Sequence, residues 1–348
     1  MVQFGYMPDT HGGPYEQPQP TPERSADFAA QLLDEAVQAE RYGFDAVFVP
    51  ERHARTECMF PSPIPLMAAI AARTSRVKIG TDIMMPPLYN PVHLAQATAL
   101  IDVLSRGRLI LGVGVGYHQD YFKHFGVAIK QREGRFEETL EILQKAWTTV
   151  GPFAHHGKYF NFEAIHVTPK PFQKPRPPIW IGAFGPKSVA RAGRLADGWT
   201  MAPFLDPVES IKSQVSIYRE AAAKAGRKPY ISMFRDGWLA SSKEEAERTF
   251  GPLWIEEWKF YTKWGMLDGG PGADPASYFS MDKLRAYGYP IMGNAADWLE
   301  SLDRWDRLVG GIDSFVLRMR VPMGPAKEKV MECIQRVGEE VLPKFRNR

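Results

Sequence analysis

Cysteine is nearly absent from these 348 residues: Cys58 and Cys333 stand far apart and in no metal-binding spacing. Two isolated thiols argue against a disulfide framework or a cysteine-ligated metal, and a reducing cytoplasm is the expected setting. No apolar run is long enough to cross a bilayer, and no basic patch followed by an apolar stretch opens the chain, so neither a membrane span nor a secretory leader is expected. An excess of one charge is also missing. Lys and Arg number 43 against 40 Asp and Glu, a net charge of +3, which predicts no nucleic-acid or membrane-surface partner. The segment Phe4 to Asp9 contains no His-x-His, the pair that metal-dependent barrel hydrolases place after their first strand, so no metal is expected.

What the chain does have is apolar material and rhythm. Hydrophobic residues make up 44% and aromatics 12%, enough for a large core and too much for disorder. Apolar runs of strand length fall at residues 2–7, 45–49, 77–83, 108–111, 179–182, 197–202, 230–240 and 314–321. Helical patterns separate them, at 65–73, 91–104, 132–150, 186–196, 208–225 and 295–308, with a last one at 325–341. The first helix opens on Thr21-Pro22-Glu23, a cap followed by proline at the first helical position, and Gly43 stops it. Eight strands alternating with helices predict one domain over 1–348: an α/β fold, a closed (β/α)8 TIM barrel.

Two insertions break the rhythm, one after strand four (about 151–178) and one after strand seven (about 251–290). The first suggests a small hairpin from 159–162 and 165–167, and its His155-His156 would point to opposite sides. The second carries Trp254, Trp258, Tyr261 and Trp264, then Asp268-Gly269-Gly270-Pro271-Gly272. It reads as an irregular lid that forms part of a substrate pocket, or as an oligomer contact.

Active sites of such barrels lie after the strands. The most informative stretch there is Arg108-Leu-Ile-Leu-Gly112-Val-Gly114-Val-Gly116-Tyr117. Alternate glycines strip one face of a strand, which predicts a flat ring system packed against bare backbone. The spacing is not the dinucleotide fingerprint, whose third glycine falls three residues after the second. Glu51-Arg52-His53 follow strand two, Thr81, Asp82, Met84 and Met85 follow strand three, and Gly182-Ala183-Phe184-Gly185 follow strand five. Gly185-Pro186 opens a helix with Lys187 and Ser188 in its first turn, so an anion can be held there, although an ordinary glycine-to-helix turn accounts for the same residues. Arg318 and Arg320 share one face of strand eight and are expected to pair with carboxylates rather than bind an anion.

Taken in order, Glu51-Arg52-His53, Tyr89-Asn90-Pro91, 108–116, 132–147, 181–185 and Ala196-Asp197-Gly198-Trp199 resemble the bacterial luciferase-like family, over the whole barrel and least between 251 and 290. The resemblance implies a flavin-dependent oxidoreductase, foremost a monooxygenase using reduced FMN and oxygen on a small organic substrate. A deazaflavin (coenzyme F-420) hydride-transfer enzyme is the alternative, and a non-catalytic flavin-binding protein the alternative of another class. It implies a separate NAD(P)H:flavin reductase as partner and a homodimer or higher homo-oligomer. It also implies cofactor contacts from Thr81, Met84, Asn90, Gly114, Val115, Gly116 and Tyr117, and from Gly182, Ala183, Phe184, Gly185, Lys187 and Ser188, the last turn receiving a phosphate. Glu51, Arg52 and His53 are the catalytic candidates. Here the sequence departs from the family, which often has histidine where Arg52 stands. Arg52 then either binds an anionic group, stabilises a reduced flavin, or pairs with Glu51 and shapes the loop.

Overall fold

A computed structural model describes every residue except 16, 205 and 264–279. Eight parallel strands close into a barrel: β1 (Gln3–Tyr6), β2 (Ala46–Val49), β3 (Lys78–Thr81), β4 (Leu109–Val113), β5 (Ile179–Gly182), β6 (Gly198–Met201), β7 (Ile231–Leu239) and β8 (Ser314–Arg318). Pairing of β8 with β1 (Gln3 beside Ser314) and of β6 with β7 (Trp199 beside Ile231) leaves no free edge in the ring. The expected fold is therefore present.

Period two explains how the barrel fills. On β2, Val47 and Val49 join the large outer cluster against the helices, whereas Ala46 and Phe48 join an inner one with Met7, Ile110, Trp180 and Phe234. Phe48 and Trp180 stack at 5.4 Å. They fit because glycine faces them: a Cβ on Gly5, Gly80 or Gly198 would come within 2.6–2.8 Å of a neighbour, the Phe48 or Trp180 ring among them. These rings plug the lower barrel, so any ligand space has to lie above them, at the C-terminal ends of the strands.

The helix ends follow local chemistry. Thr21 accepts from the Arg24 N–H at the start of Pro22–Arg41, and Gly43 beyond its end has φ +86°. The Gly-to-helix turn at Pro186–Leu195 has Gly185 at φ +76°. The hairpin after β4 pairs Phe153–His156 with Asn161–Ile165, one strand earlier than the 159–162 and 165–167 pairing expected. His155 is buried and His156 exposed, as adjacent strand positions require.

The second insertion is the main correction. Its aromatic part is not an irregular loop but the C-terminal half of a helix, Lys243–Lys263, and Trp254, Trp258 and Tyr261 are buried. Their spacing of four and three residues is helical, and Pro252 within the helix is what disguises it. A second helix, Met281–Tyr287, and a short strand, Ile291–Gly293, which pairs with the end of β7, follow. Trp264 and the Asp268 to Gly272 run lie outside the described residues.

Candidate active site

The C-terminal strand ends surround a cavity of about 280 Å³, close to the lower bound of about 300 Å³ for small-molecule sites. Of the residues expected there, Glu51, Arg52, Val115, Gly116 and Tyr117 border it, as do Gly182, Ala183, Phe184 and Ser188. Tyr117 and Phe184 keep 41% and 56% of their surface, which makes them rim residues rather than core.

The strand-two motif is organised around Glu51. Its carboxylate accepts from the Met85 N–H (2.5 Å), from the Tyr89 hydroxyl and from His53 Nε2 (2.9 Å). These contacts fix the loop after β3 to the end of β2. His53 is thus turned away from the cavity: it touches Glu51 and packs on Phe125 at 4.7 Å. Arg52 does not pair with Glu51. Its Nη1 lies 3.1 Å from Asp9 Oδ1, so its charge is already balanced.

Other expected contacts are diverted for local reasons. The Thr81 hydroxyl donates to the Gly112 carbonyl at 2.6 Å, and Met84 is buried beside Val113. Asn90 is exposed and caps Pro91–Leu104, accepting from Val92 N (2.9 Å) and His93 N (3.2 Å). Gly185 and Lys187 lie beside the cavity-lining Ser188 without bordering the cavity. Gly114 is the instructive case. The space beside it is taken by the Ile83 side chain, which also lies 2.9 Å from where a Gly182 Cβ would stand. The stripped face therefore seats Ile83, and it is Ile83 that borders the cavity. The ring expected on bare glycine would meet isoleucine instead. Gly112 serves a different end, since a Cβ there would run into the Thr81 carbonyl of β3.

Sequence reasoning placed Asp82 after strand three without a role and did not select Ile83, Thr200, Phe204, Phe234 or Arg191, and all six border the cavity. Asp82, Ile83 and Thr200 carry a readable signal, being at or just beyond strand ends. Arg191 does not: it lies one helical turn past Ser188, and its guanidinium is held by Glu133 and by Glu137 at 2.7 Å. Asp82 accepts from the Thr200 hydroxyl at 3.1 Å, and burial pushes its carboxyl up to about 7 against the lowering effects of Thr200 and Arg52.

Beneath the rim lies a buried ion network. Arg318 reaches Asp236 (2.5 Å), Glu257 (2.6 Å) and Asp9 (2.8 Å), and Arg320 reaches Glu35 (3.1 Å), as expected for both arginines. Asp9, His11 and Glu257 lie close enough together to suggest a metal. The Arg318 guanidinium already supplies the positive charge there. Burial holds the His11 imidazole well below its ordinary value, while Asp9 also stays low because His11, Arg52 and Arg318 outweigh its burial.

The family profile described as luciferase-like monooxygenase matches residues 2–337. The chain belongs to this family. Among solved structures, monooxygenase RslO1 from Streptomyces bottropensis aligns with a TM-score of 0.84 and 25% identity, over 99% of this chain and 100% of that one. The oxygenase component of flavin-dependent trigonelline monooxygenase from Acinetobacter baylyi is 23% identical over 332 residues, 90% of each chain. An F420-dependent glucose-6-phosphate dehydrogenase from Nakamurella multipartita is 33% identical over 208 residues, 57% of this chain and 60% of that one. Several relatives are thus matched over little more than half their length. Relatives in the luciferase-like family are named both as oxygenases and as dehydrogenases.

Proposed function

We propose that this luciferase-like chain is a flavin-dependent oxidoreductase, foremost a monooxygenase that takes reduced FMN and oxygen to a small organic substrate. The observation that carries the reading is the cavity itself. Its walls are mostly apolar or aromatic (Met7, Ile83, Phe204, Phe234), its arginines are neutralised, and among the described residues that border it there is no histidine or cysteine. Such a site has little chemistry of its own and suits a cofactor that brings it.

The residues present fit that cofactor. Ile83 offers a flat apolar floor, Tyr117 and Phe184 flank the opening, and the free helix start at Gly185 to Ser188 suits a phosphate. When bound, reduced flavin supplies the two electrons and the site of oxygen activation. The protein's part is to hold the ring between these walls and to exclude water. Glu51 acts at one remove, by fixing Met85 and hence the wall that carries Ile83. Reduced flavin would come from a separate NAD(P)H:flavin reductase, consistent with the oxygenase-component relative matched over nine-tenths of its length. The dehydrogenase relatives favour a second reading, hydride transfer to or from a deazaflavin.

Isotopically labelled dioxygen separates the two. Single turnovers with reduced FMN and a panel of ketones, aldehydes and N-heteroaromatics should place one labelled oxygen atom in a product. Absence of labelled product, together with a change in F420 absorbance when the same panel is run with F420 in place of FMN, would overturn the oxygenase reading in favour of the dehydrogenase.

A further inference from the structure

Three charged groups at the cavity wall already have oppositely charged or multiple partners. Glu51 accepts three hydrogen bonds, Arg52 is paired with Asp9, and Arg191 is held by Glu133 and Glu137. Asp82 differs. Among the described residues its carboxylate receives one hydrogen bond, from the Thr200 hydroxyl at 3.1 Å, and the surface it keeps borders the cavity between Ile83 and Thr200.

A carboxylate in that place is solvated by whatever water the cavity holds. A flat ring that fills the cavity removes this water, and the charged form then has one hydroxyl to lean on. A neutral carboxylic acid loses far less, and it gains a donor. Isoalloxazines and deazaflavins both present carbonyl oxygens, which are acceptors. We propose that Asp82, oriented by Thr200, meets the bound cofactor as a neutral acid and donates a hydrogen bond to it, so that binding takes up a proton. The inference rests on the flavin or deazaflavin reading above and adds to it a residue and a pH dependence.

The charged and titratable groups bordering the same cavity are Glu51 and Arg52 from the end of β2, Tyr117 and Tyr121 after β4, Arg191 after β5 and Tyr261 from Lys243–Lys263. Arg52 favours the carboxylate; burial opposes it and prevails, with the group titrating at about 7. A raised carboxyl is protonated below that value and charged above it. Cofactor affinity therefore falls as pH rises through the neutral range.

The test is calorimetric titration of the holo-competent full chain with oxidised FMN, and in parallel with F420, from about pH 6 to about pH 9. Wild type should lose up to about 100-fold in affinity across that range relative to Asp82→Asn, which carries a permanent neutral donor. Titrations in two buffers of different ionisation enthalpy should show proton uptake in wild type and less in the variant. The variant serves as the reference because ionisation of the FMN phosphate is common to both proteins. Thr200→Val keeps the acid but loses its orientation and a hydrogen bond that favours the charged form, so it should weaken binding at about pH 6 and move the fall in affinity to higher pH. Equal slopes in wild type and Asp82→Asn, or loss of binding in a folded Asp82→Asn at every pH, would overturn this inference alone. Failure of wild type to bind either cofactor at about pH 6 would overturn the functional reading and this inference with it.

Discussion

Gly112→Ala should lower stability by about 3 kcal/mol, the upper end for overpacking a core. The added methyl has nowhere to go. It would sit on the Thr81 carbonyl oxygen, a backbone atom of the neighbouring strand, and the same residue of β3 donates its hydroxyl hydrogen bond to the Gly112 carbonyl. Relief requires that β3 and β4 separate, and both belong to the closed ring. At about 2.1 cal/mol/K of unfolding entropy per residue, that loss corresponds to a melting point lower by about 4 °C. Gly114→Ala is the contrast. There the methyl meets the far end of Ile83, a side chain that can rotate, so the barrel should fold and the cavity should shrink. Denaturant midpoints for the two variants decide the matter, and a wild-type midpoint for Gly112→Ala would show that the two strands do not approach as described.

Arg318→Leu should cost about 3–5 kcal/mol near neutral pH, because it strands buried carboxylates rather than deleting a neutral contact. Asp9, Asp236 and Glu257 converge on that one guanidinium from the loop after β1, from β7 and from the helix Lys243–Lys263. The sign of its pH dependence is fixed. In the wild type His11, Arg52 and Arg318 together keep Asp9 depressed, so its contribution is present above the ordinary carboxylate range and is lost on acidification. Burial already pushes Glu257 up to about 7, so its contribution is lost as pH rises through that value. In the variant Glu257 loses the guanidinium that lowers it and Asp9 loses one of its cations, so both rise and stability falls more steeply as pH rises. The gap between the two proteins widens from about pH 5 to about pH 8. Arg318→Lys should restore only part of it, since an ammonium cannot form the paired contacts that the guanidinium makes with Glu257. Urea unfolding at the two pH values would show this; a gap below about 1 kcal/mol, or one independent of pH, would refute it.

Much of the fold was legible because strand and helix periods differ so plainly. The Pro and Thr at 21–22, Gly43 and the Gly185-Pro186 turn stand where the sequence placed them. Pro252 hid the helix that carries Trp254, Trp258 and Tyr261, since proline in a helix interior is read as a break. The site was less legible. Sequence locates a loop after a strand, but not which of its side chains turns inward. At Gly114 the inference that glycine means space was sound and the occupant was wrong: Ile83, only two residues beyond β3, fills it. Asn90 has the right neighbourhood and a better offer nearby, two unpaired N–H groups at the head of its own helix. His53 found Glu51 before it could face the cavity. Arg191 is brought in by a helical turn and two glutamates distant in sequence, which no local pattern announces.

The central claim is that one cavity at the C-terminal end of the barrel receives a flavin-type ring. Ala202, just past the end of β6, borders it above the inner cluster on which it packs, and it is small enough that the indole of Ala202→Trp fills the space. Calorimetric titration of wild type and Ala202→Trp with FMN and with F420 tests the claim most directly. The account predicts one site per chain for FMN or F420 in wild type, and at least about 100-fold weaker binding, some 2.7 kcal/mol, in a variant that melts within a few degrees of it. Equal affinity in the two proteins, or no binding of either cofactor to the wild type, would contradict it.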